Sequence, residues 1–85
     1  MLLYAIIETM KVYNYTVVMT PDETGGYVVT CPALPGLVTE GETLEEARMM
    51  AADAIMCYLE GLQKAGLPIP PDKHTVTQPV TVELA

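Results

Sequence analysis

One long segment with helical periodicity, marked at both ends, most constrains the fold of this 85-residue chain. Thr43 precedes Glu46 by three residues, which is the pattern of a capping box. In this motif the threonine hydroxyl accepts from the Glu46 amide, and the Glu46 carboxylate reaches back to the Thr43 amide. Gly66 can close the other end in a left-handed conformation, and Pro68 cannot continue a helix. The sequence therefore predicts a helix across residues 43–66.

The helical period divides this segment into three faces. The apolar stripe predicted to face the core comprises Leu44, Ala47, Ala51, Ile55, Tyr58, Leu59 and Leu62. Glu46, Asp53 and Glu60 are seven residues apart and form an acidic stripe on the opposite side. Met49 and Met56 lie between the two, on a flank that a single copy would leave partly exposed.

The residues before the helix predict a three-stranded meander. Residues 13–20 alternate between two faces, and the Pro/Gly-containing turn at 21–26 leads directly into a β-rich run at 27–31. A proline-rich connection at 32–36 then precedes a third short strand at 37–40. These segments predict an antiparallel sheet that leads into the helix.

The two ends of the chain are less regular. Prolines in residues 67–73 favour an extended connection, and residues 75–84 are rich in Val and Thr, which predicts a final strand. Pro79 places that strand at a sheet edge or breaks it in two. Residues 1–10 predict either a short helix or an extended arm, so we divide the chain into an arm, 1–11, and one domain, 12–85.

Charge and composition exclude several classes of function. With 11 acidic and 4 basic residues, the net charge of −7 argues against direct binding of nucleic acid. An acidic surface suits a basic protein partner, or it serves solubility alone. The apolar start is too short to span a membrane, and two cysteines among apolar neighbours predict buried free thiols in a cytoplasmic protein. The small size favours a homo-oligomer, either a dimer or a tetramer.

No pattern predicts catalysis, a metal or a cofactor. Asp22, Glu40 and Asp53 are the best candidates for a divalent cation, but a turn and the outer face of a helix do not converge. His74 is the only histidine, and the chain contains no serine that it could activate. The glycine pair at 25–26 lacks the helix and the Lys-Ser/Thr pair of a phosphate-binding loop.

Several short motifs together resemble the HicB family of antitoxins. They are Y-T-V-V at 15–18, G-G-Y-V at 25–28, C-P-A-L-P-G-L at 31–37, G-E-T-L-E-E-A at 41–47 and Y-L-E at 58–60. The resemblance covers about residues 12–72. It implies an α+β, β-β-β-α-β module similar to a partial, degraded ribonuclease H fold.

The resemblance also implies a function in a type II toxin–antitoxin system. Family members bind and neutralise HicA, a small basic toxin that cleaves messenger RNA. Many members carry a second, C-terminal DNA-binding domain of ribbon-helix-helix or helix-turn-helix type, which this sequence does not include, so operator binding is not carried over.

We therefore expect an antitoxin-like protein that inhibits its toxin by occlusion. Glu46, Asp53 and Glu60 on the helix, with Met49 and Met56 as apolar contacts, are the candidate partner-binding residues. They follow from the helical wheel and not from a family motif. The alternatives are a stand-alone oligomeric assembly protein of the same fold and a degenerate ribonuclease H-like enzyme.

Overall fold

A computed structural model describes residues 11–85 as a three-stranded sheet with one helix packed against it. The strands are β1 (Val18–Pro21), β2 (Tyr27–Thr30) and β3 (Val38–Gly41), and the helix is α1 (Leu44–Lys64). The sheet is antiparallel in the order β1-β2-β3. The predicted α+β class and meander are thus confirmed, while the predicted arm falls almost entirely outside the described residues.

β1 is shorter than predicted, because it begins at Val18 instead of residue 13. Val18 pairs with Thr30, so a longer ladder would place Thr16 opposite Pro32, which has no amide hydrogen. The Thr16 amide instead donates to the Asp72 carboxylate at 2.8 Å, and the Thr16 hydroxyl donates to the same group at 2.7 Å. The amide and hydroxyl of Thr16 are thus bound by a side chain from beyond the helix and not by a neighbouring strand.

The final strand predicted at 75–84 is not formed within the described chain. Residues 67–85 contain no helix or strand, and residues 75–84 are exposed throughout. A strand needs a neighbour for its backbone groups, and Val/Thr composition alone does not supply one. The likeness to a partial ribonuclease H fold stays a prediction.

Two turns set the approach of the strands to α1. In the β1–β2 hairpin, Gly25 and Gly26 both adopt positive φ, at 103° and 78°. In the second turn the Leu37 amide donates to the Leu34 carbonyl at 3.2 Å, with Pro35 and positive-φ Gly36 between them. That arrangement suits a type II turn. The Tyr58 hydroxyl of α1 donates to the Pro35 carbonyl at 2.9 Å and fixes this turn against the helix.

Both helix ends carry the predicted signals, with one difference. The Glu46 amide donates to the Thr43 hydroxyl at 3.0 Å, but the Glu46 carboxylate accepts from the Glu42 amide at 3.1 Å, not from Thr43 as predicted. At the other end Gly66 has φ 70°, and the Leu67 amide donates to the Leu62 carbonyl at 2.9 Å. This is the Schellman arrangement.

The core lies between the sheet and the first half of α1. Its fully buried side chains are small or come from the strands and turns: Val29, Leu34, Ala47 and Ala51, with Cys31, Ala33 and Leu37 nearly so. The prediction that Leu44 belongs to the core is wrong. Leu44 lies in the first turn of α1, beyond the sheet, and its side chain is 55% exposed. Cys57 is also exposed, contrary to the prediction, because it lies on the outer side of α1.

Gly41 at the end of β3 allows this close packing. A Cβ built on Gly41 would overlap the Ala47 amide nitrogen and lie 2.6 Å from the Ala47 Cα, both backbone atoms that cannot rotate away. The backbones of β3 and α1 are therefore in direct contact, and this contact requires glycine at position 41.

The connection after α1 is attached to the start of β1. Besides the bonds from Thr16 to Asp72, the Tyr15 hydroxyl donates to the Pro70 carbonyl. The hydrogen bonds from the Thr16 amide, and next from its hydroxyl, hold the pKa of Asp72 below its ordinary value. Asp72 is thus bound in its ionised form.

The first prediction concerns Gly41. Gly41→Ala should destabilise the protein by about 2 kcal/mol or more, because the added methyl group overlaps backbone. Gly61→Ala is the matched control: Gly61 lies within α1 with open space around its Cα, so this change should stabilise by roughly 0.5–1 kcal/mol. Urea unfolding followed by circular dichroism measures the stability of both variants. Equal changes in the free energy of unfolding would contradict the backbone contact between Gly41 and Ala47.

The second prediction concerns the pH dependence from Asp72. A carboxyl whose folded pKa is lowered stabilises the fold above its unfolded pKa, about 3.9, and this stabilisation is lost as pH falls through the folded pKa. Asp72→Asn should therefore lower the urea midpoint at pH 6, and its difference from wild type should narrow below about pH 4. Asp53→Asn, which removes an exposed carboxylate, is the control and should show no such narrowing. If the difference in urea midpoint between Asp72→Asn and wild type stays constant down to pH 2.5, the ionised Asp72 carboxylate is not the source of the stabilisation.

Candidate functional site

An acidic pocket lies at the N-terminal end of α1. It has a volume of about 430 Å³ and is bounded by the β1–β2 turn, the end of β3 and the first turns of the helix. Four carboxylates line it, those of Asp22, Glu40, Glu42 and Glu46, and no basic residue does. Neighbouring Tyr27 and Met50 add apolar surface. Such a pocket attracts a cationic side chain of a partner by charge alone.

The other two residues of the predicted acidic stripe lie further along α1. Asp53 and Glu60 are exposed, and Asp53 borders neither concavity of the described surface. Within residues 11–85 the one contact shorter than 4 Å between an acidic oxygen and a basic nitrogen joins Asp72 and His74, so Asp53 and Glu60 form no ion pair there. The stripe thus remains available to a partner, except that Glu46 is already engaged in the helix cap.

A second concavity, which we call the β1 groove, runs along the outer side of β1. It has a volume of about 580 Å³ and lies between the residues leading into β1 and one flank of α1. Its apolar lining is formed by Tyr13, Tyr15, Val17, Met19, Ala51, Ala52, Ile55, Met56, Leu59 and Ile69. Two of the four basic residues of the chain, Lys11 and Arg48, also border it. The groove is therefore apolar along its length, and its border is partly basic.

Tyr15 shows that part of the groove is shielded from water. Burial raises the pKa of the Tyr15 hydroxyl, and the charges of Tyr13, Cys31 and Asp72 add to the effect. Its hydroxyl donates to the Pro70 carbonyl, so the ring is fixed at the end of the groove where the connection from α1 arrives.

The two methionines of the helix flank differ in their surroundings. Met49 is 64% exposed and Met56 is 62% exposed, yet only Met56 borders the β1 groove. Glu60 shares this border, whereas Met49 lies outside both concavities. The structure therefore separates a set that the helical wheel had grouped together.

The described part of the chain contains neither a metal-binding cluster nor a helix that could span a membrane. Asp22 and Glu40 do meet at the acidic pocket, but Asp53 does not join them. No cluster of three or more His, Cys, Asp or Glu side chains among residues 11–85 has a metal-binding arrangement. Among the helices described there, none is long and apolar enough to cross a bilayer.

Sequence reasoning missed the β1 groove and most of the acidic pocket. The alternation of Tyr13, Tyr15, Val17 and Met19 was recognised, but it does not reveal that α1 extends past the edge of the sheet. Glu40, Glu42 and Glu46 lie within seven residues at the junction of β3 and α1, but Asp22 comes from the β1–β2 turn, and no local spacing connects it with them.

Comparison with known proteins identifies the family. Residues 15–82 match the family model described as the HicB_like antitoxin of bacterial toxin-antitoxin systems. A UPF0150 protein of Thermoplasma acidophilum is 50% identical over 69% of this chain and 86% of its own length. Antitoxin HicB 1 of Photorhabdus laumondii is 40% identical over 91% of this chain, and antitoxin HicB of Escherichia coli K12 is 38% identical over 72%.

The match to the two named antitoxins covers part of each. This chain spans 50% of the Photorhabdus protein and 47% of the Escherichia coli protein. The family match extends over most of the present sequence and includes the turn at 31–37 and the capped helix start. The chain therefore belongs to the HicB-like antitoxin family of bacterial toxin-antitoxin systems.

Proposed function

We propose that this protein is the antitoxin of a type II toxin–antitoxin pair and neutralises a basic, HicA-like toxin that cleaves messenger RNA. The observation that carries the proposal is an acidic pocket with no basic residue in its lining, and exposed carboxylates beside it that form no ion pair within residues 11–85, on a chain of an antitoxin family. The RNA-binding surface of such a toxin is cationic, because it must hold phosphates. An acidic protein that binds the same surface excludes the RNA.

Inhibition by occlusion needs no chemistry from the antitoxin. We accordingly propose a protein that is not an enzyme, uses no cofactor, acts in the cytoplasm and does not itself bind nucleic acid. Electrostatic attraction between the two proteins would raise the rate of association and favour the correct orientation. Apolar contacts near the charges then slow dissociation.

The proposed contact surface comprises the acidic pocket and the outer face of α1. Asp53, Glu60 and Met49 are exposed there, and the carboxylates of Asp22, Glu40 and Glu42 extend the charge onto the sheet. Glu46 contributes its charge while its carboxylate caps the helix. Met56, the remaining residue of the predicted set, borders the groove and marks the edge of this surface.

Charge reversal on α1 tests the electrostatic part of the proposal. Asp53→Lys and Glu60→Lys should each weaken binding to the HicA-like protein encoded beside this chain by roughly 3- to 10-fold at low salt, and the double variant by more. Added salt should weaken toxin binding more for wild type than for the double variant, because salt screens the two carboxylates that the double variant lacks. Calorimetry at several salt concentrations measures both effects.

Glu23→Lys provides the matched control. Glu23 is exposed in the β1–β2 turn and borders neither concavity, so the same change of charge there should have a smaller effect. Complex formation that is undiminished in Asp53→Lys/Glu60→Lys and independent of salt would exclude this surface. Absence of any complex, together with unimpeded RNA cleavage by the toxin, would exclude the antitoxin function itself.

A stand-alone assembly protein of the same fold is the second candidate. The β1 groove favours it, because an apolar concavity is a common docking surface for other protein segments. A chain that associates with itself but with no neighbouring toxin would support this alternative. The degenerate ribonuclease H-like enzyme predicts metal-dependent RNA cleavage, and a pure preparation inactive with Mg²⁺ and Mn²⁺ would exclude it.

A further inference from the structure

The C-terminal residues 75–84, which we call the tail, have the sequence alternation of an amphipathic strand but form no strand and have no neighbouring strand in the described chain. Apolar side chains occupy four of its five even positions, the exception being Gln78: Val76 is 76% exposed, Val80 and Val82 are each 82% exposed, and Leu84 is 97% exposed. Odd positions carry Thr75, Thr77, Pro79, Thr81 and Glu83. This alternation is typical of a strand with one face buried, yet here that face contacts solvent.

The β1 groove has complementary properties. β1 is an edge of the sheet, because its only neighbour in the described chain is β2, so its other side presents unpaired backbone groups. The floor of the groove is apolar and is formed by α1, which lies beneath the position that a further strand would occupy. A strand added there would pair with the β1 edge and place every second side chain on the helix.

The connection between α1 and the tail is held outside the groove. Asp72 is bound to Thr16 and Pro70 to Tyr15, so the chain is fixed where the groove begins and then continues into solvent. Each copy therefore presents one unpaired tail and one unfilled groove. Two copies related by a twofold axis can satisfy both by exchanging tails, and such an assembly is closed.

Charge also favours a second copy over a basic partner. Two cations, Lys11 and Arg48, and one anion, Glu60, border the groove, and the only charged side chain in the tail is Glu83. A cationic toxin segment would meet like charge at Lys11 and Arg48, whereas the tail brings a carboxylate. Pro79 fits the same placement, because an added strand becomes the new edge of the sheet, where proline is tolerated.

We propose that the β1 groove receives the tail of a second copy of this chain, giving a homodimer by reciprocal strand exchange. The even-numbered side chains Val80 and Val82 then pack on α1 beside Met56, and the threonines face outward. This surface meets the proposed toxin surface at Met56 and Glu60 but includes neither Asp53 nor Met49, so variants at those two residues and in the tail test the two proposals separately.

Sedimentation equilibrium of tail variants tests the proposal. Wild type should form dimers, or multiples of dimers, at micromolar concentration. Val80→Asp/Val82→Asp should weaken self-association at least tenfold, because two charges would enter the apolar groove. Thr77→Asp/Thr81→Asp adds the same charge to the same tail on the opposite face and should leave the assembly in place. These positions are exposed in the single chain, so helix content by circular dichroism should stay unchanged.

A second pair of variants examines the groove. Met56→Asp should dissociate the copies, while Met49→Asp, at an equally exposed position outside the groove, should not. Toxin binding should instead be weakened by Met49→Asp more than by Met56→Asp, and this difference distinguishes the two surfaces. A wild-type protein that sediments as a monomer at 100 µM, or a dimer that persists in Val80→Asp/Val82→Asp and Met56→Asp, would overturn the proposal.

Cross-linking identifies the occupant of the groove. One chain carrying Val80→Cys and another carrying Met56→Cys, both with Cys57→Ser, are mixed and treated with a short bismaleimide. A covalent product joining the two different chains is expected. A third chain carries Val80→Cys, Met56→Cys and Cys57→Ser together. A cross-link found only within this chain would show that the tail folds back on its own groove, and the absence of any cross-link would place the tail outside the groove. Either result contradicts strand exchange.

Discussion

The close contact between Gly41 and Ala47 is the constraint on which the rest of the structure depends. At this point the backbone of β3 meets the backbone of α1, with no room for even one methyl group between them. The sheet and the helix therefore diverge from a fixed point of contact. Ala47 and Ala51, close to that point, are fully buried, and larger side chains fill the space further along α1.

The orientation that follows gives the helix two different sides. On one side the first turn of α1, the hairpin turn and the end of β3 converge, and their carboxylates form the acidic pocket. On the other side α1 extends beyond β1, the edge of the sheet, and the uncovered apolar flank becomes the β1 groove. A protein of net charge −7 thus places two of its four basic residues at this apolar groove. The two surfaces suit different partners because they differ in charge.

The anchoring of the chain beyond α1 has consequences for both surfaces. The Asp72 carboxylate accepts hydrogen bonds from both the amide and the hydroxyl of Thr16, just before the ladder with β2 begins, so Thr16 is bound by a residue distant in sequence. The same bonds fix residues 70–72 beside Tyr15 and leave the valine-rich tail in solvent. A carboxylate that appears in the sequence to be one of many surface charges is thereby a structural residue, and its lowered pKa follows from the two hydrogen bonds it accepts.

The sequence by itself determined the elements whose signals are local. The helix from its threonine cap to Gly66, the glycine hairpin and the Pro-Gly turn were all predicted, because capping, positive φ and fixed proline φ act within a few residues. Only the tertiary structure decided the rest. It exposes Leu44, starts β1 at Val18 and lets the Glu46 carboxylate accept from the Glu42 amide. It also places Met56, but not Met49, at a groove. A strand in particular needs a neighbour for its backbone groups, so the valines of the tail predict a strand but cannot specify which chain supplies its partner.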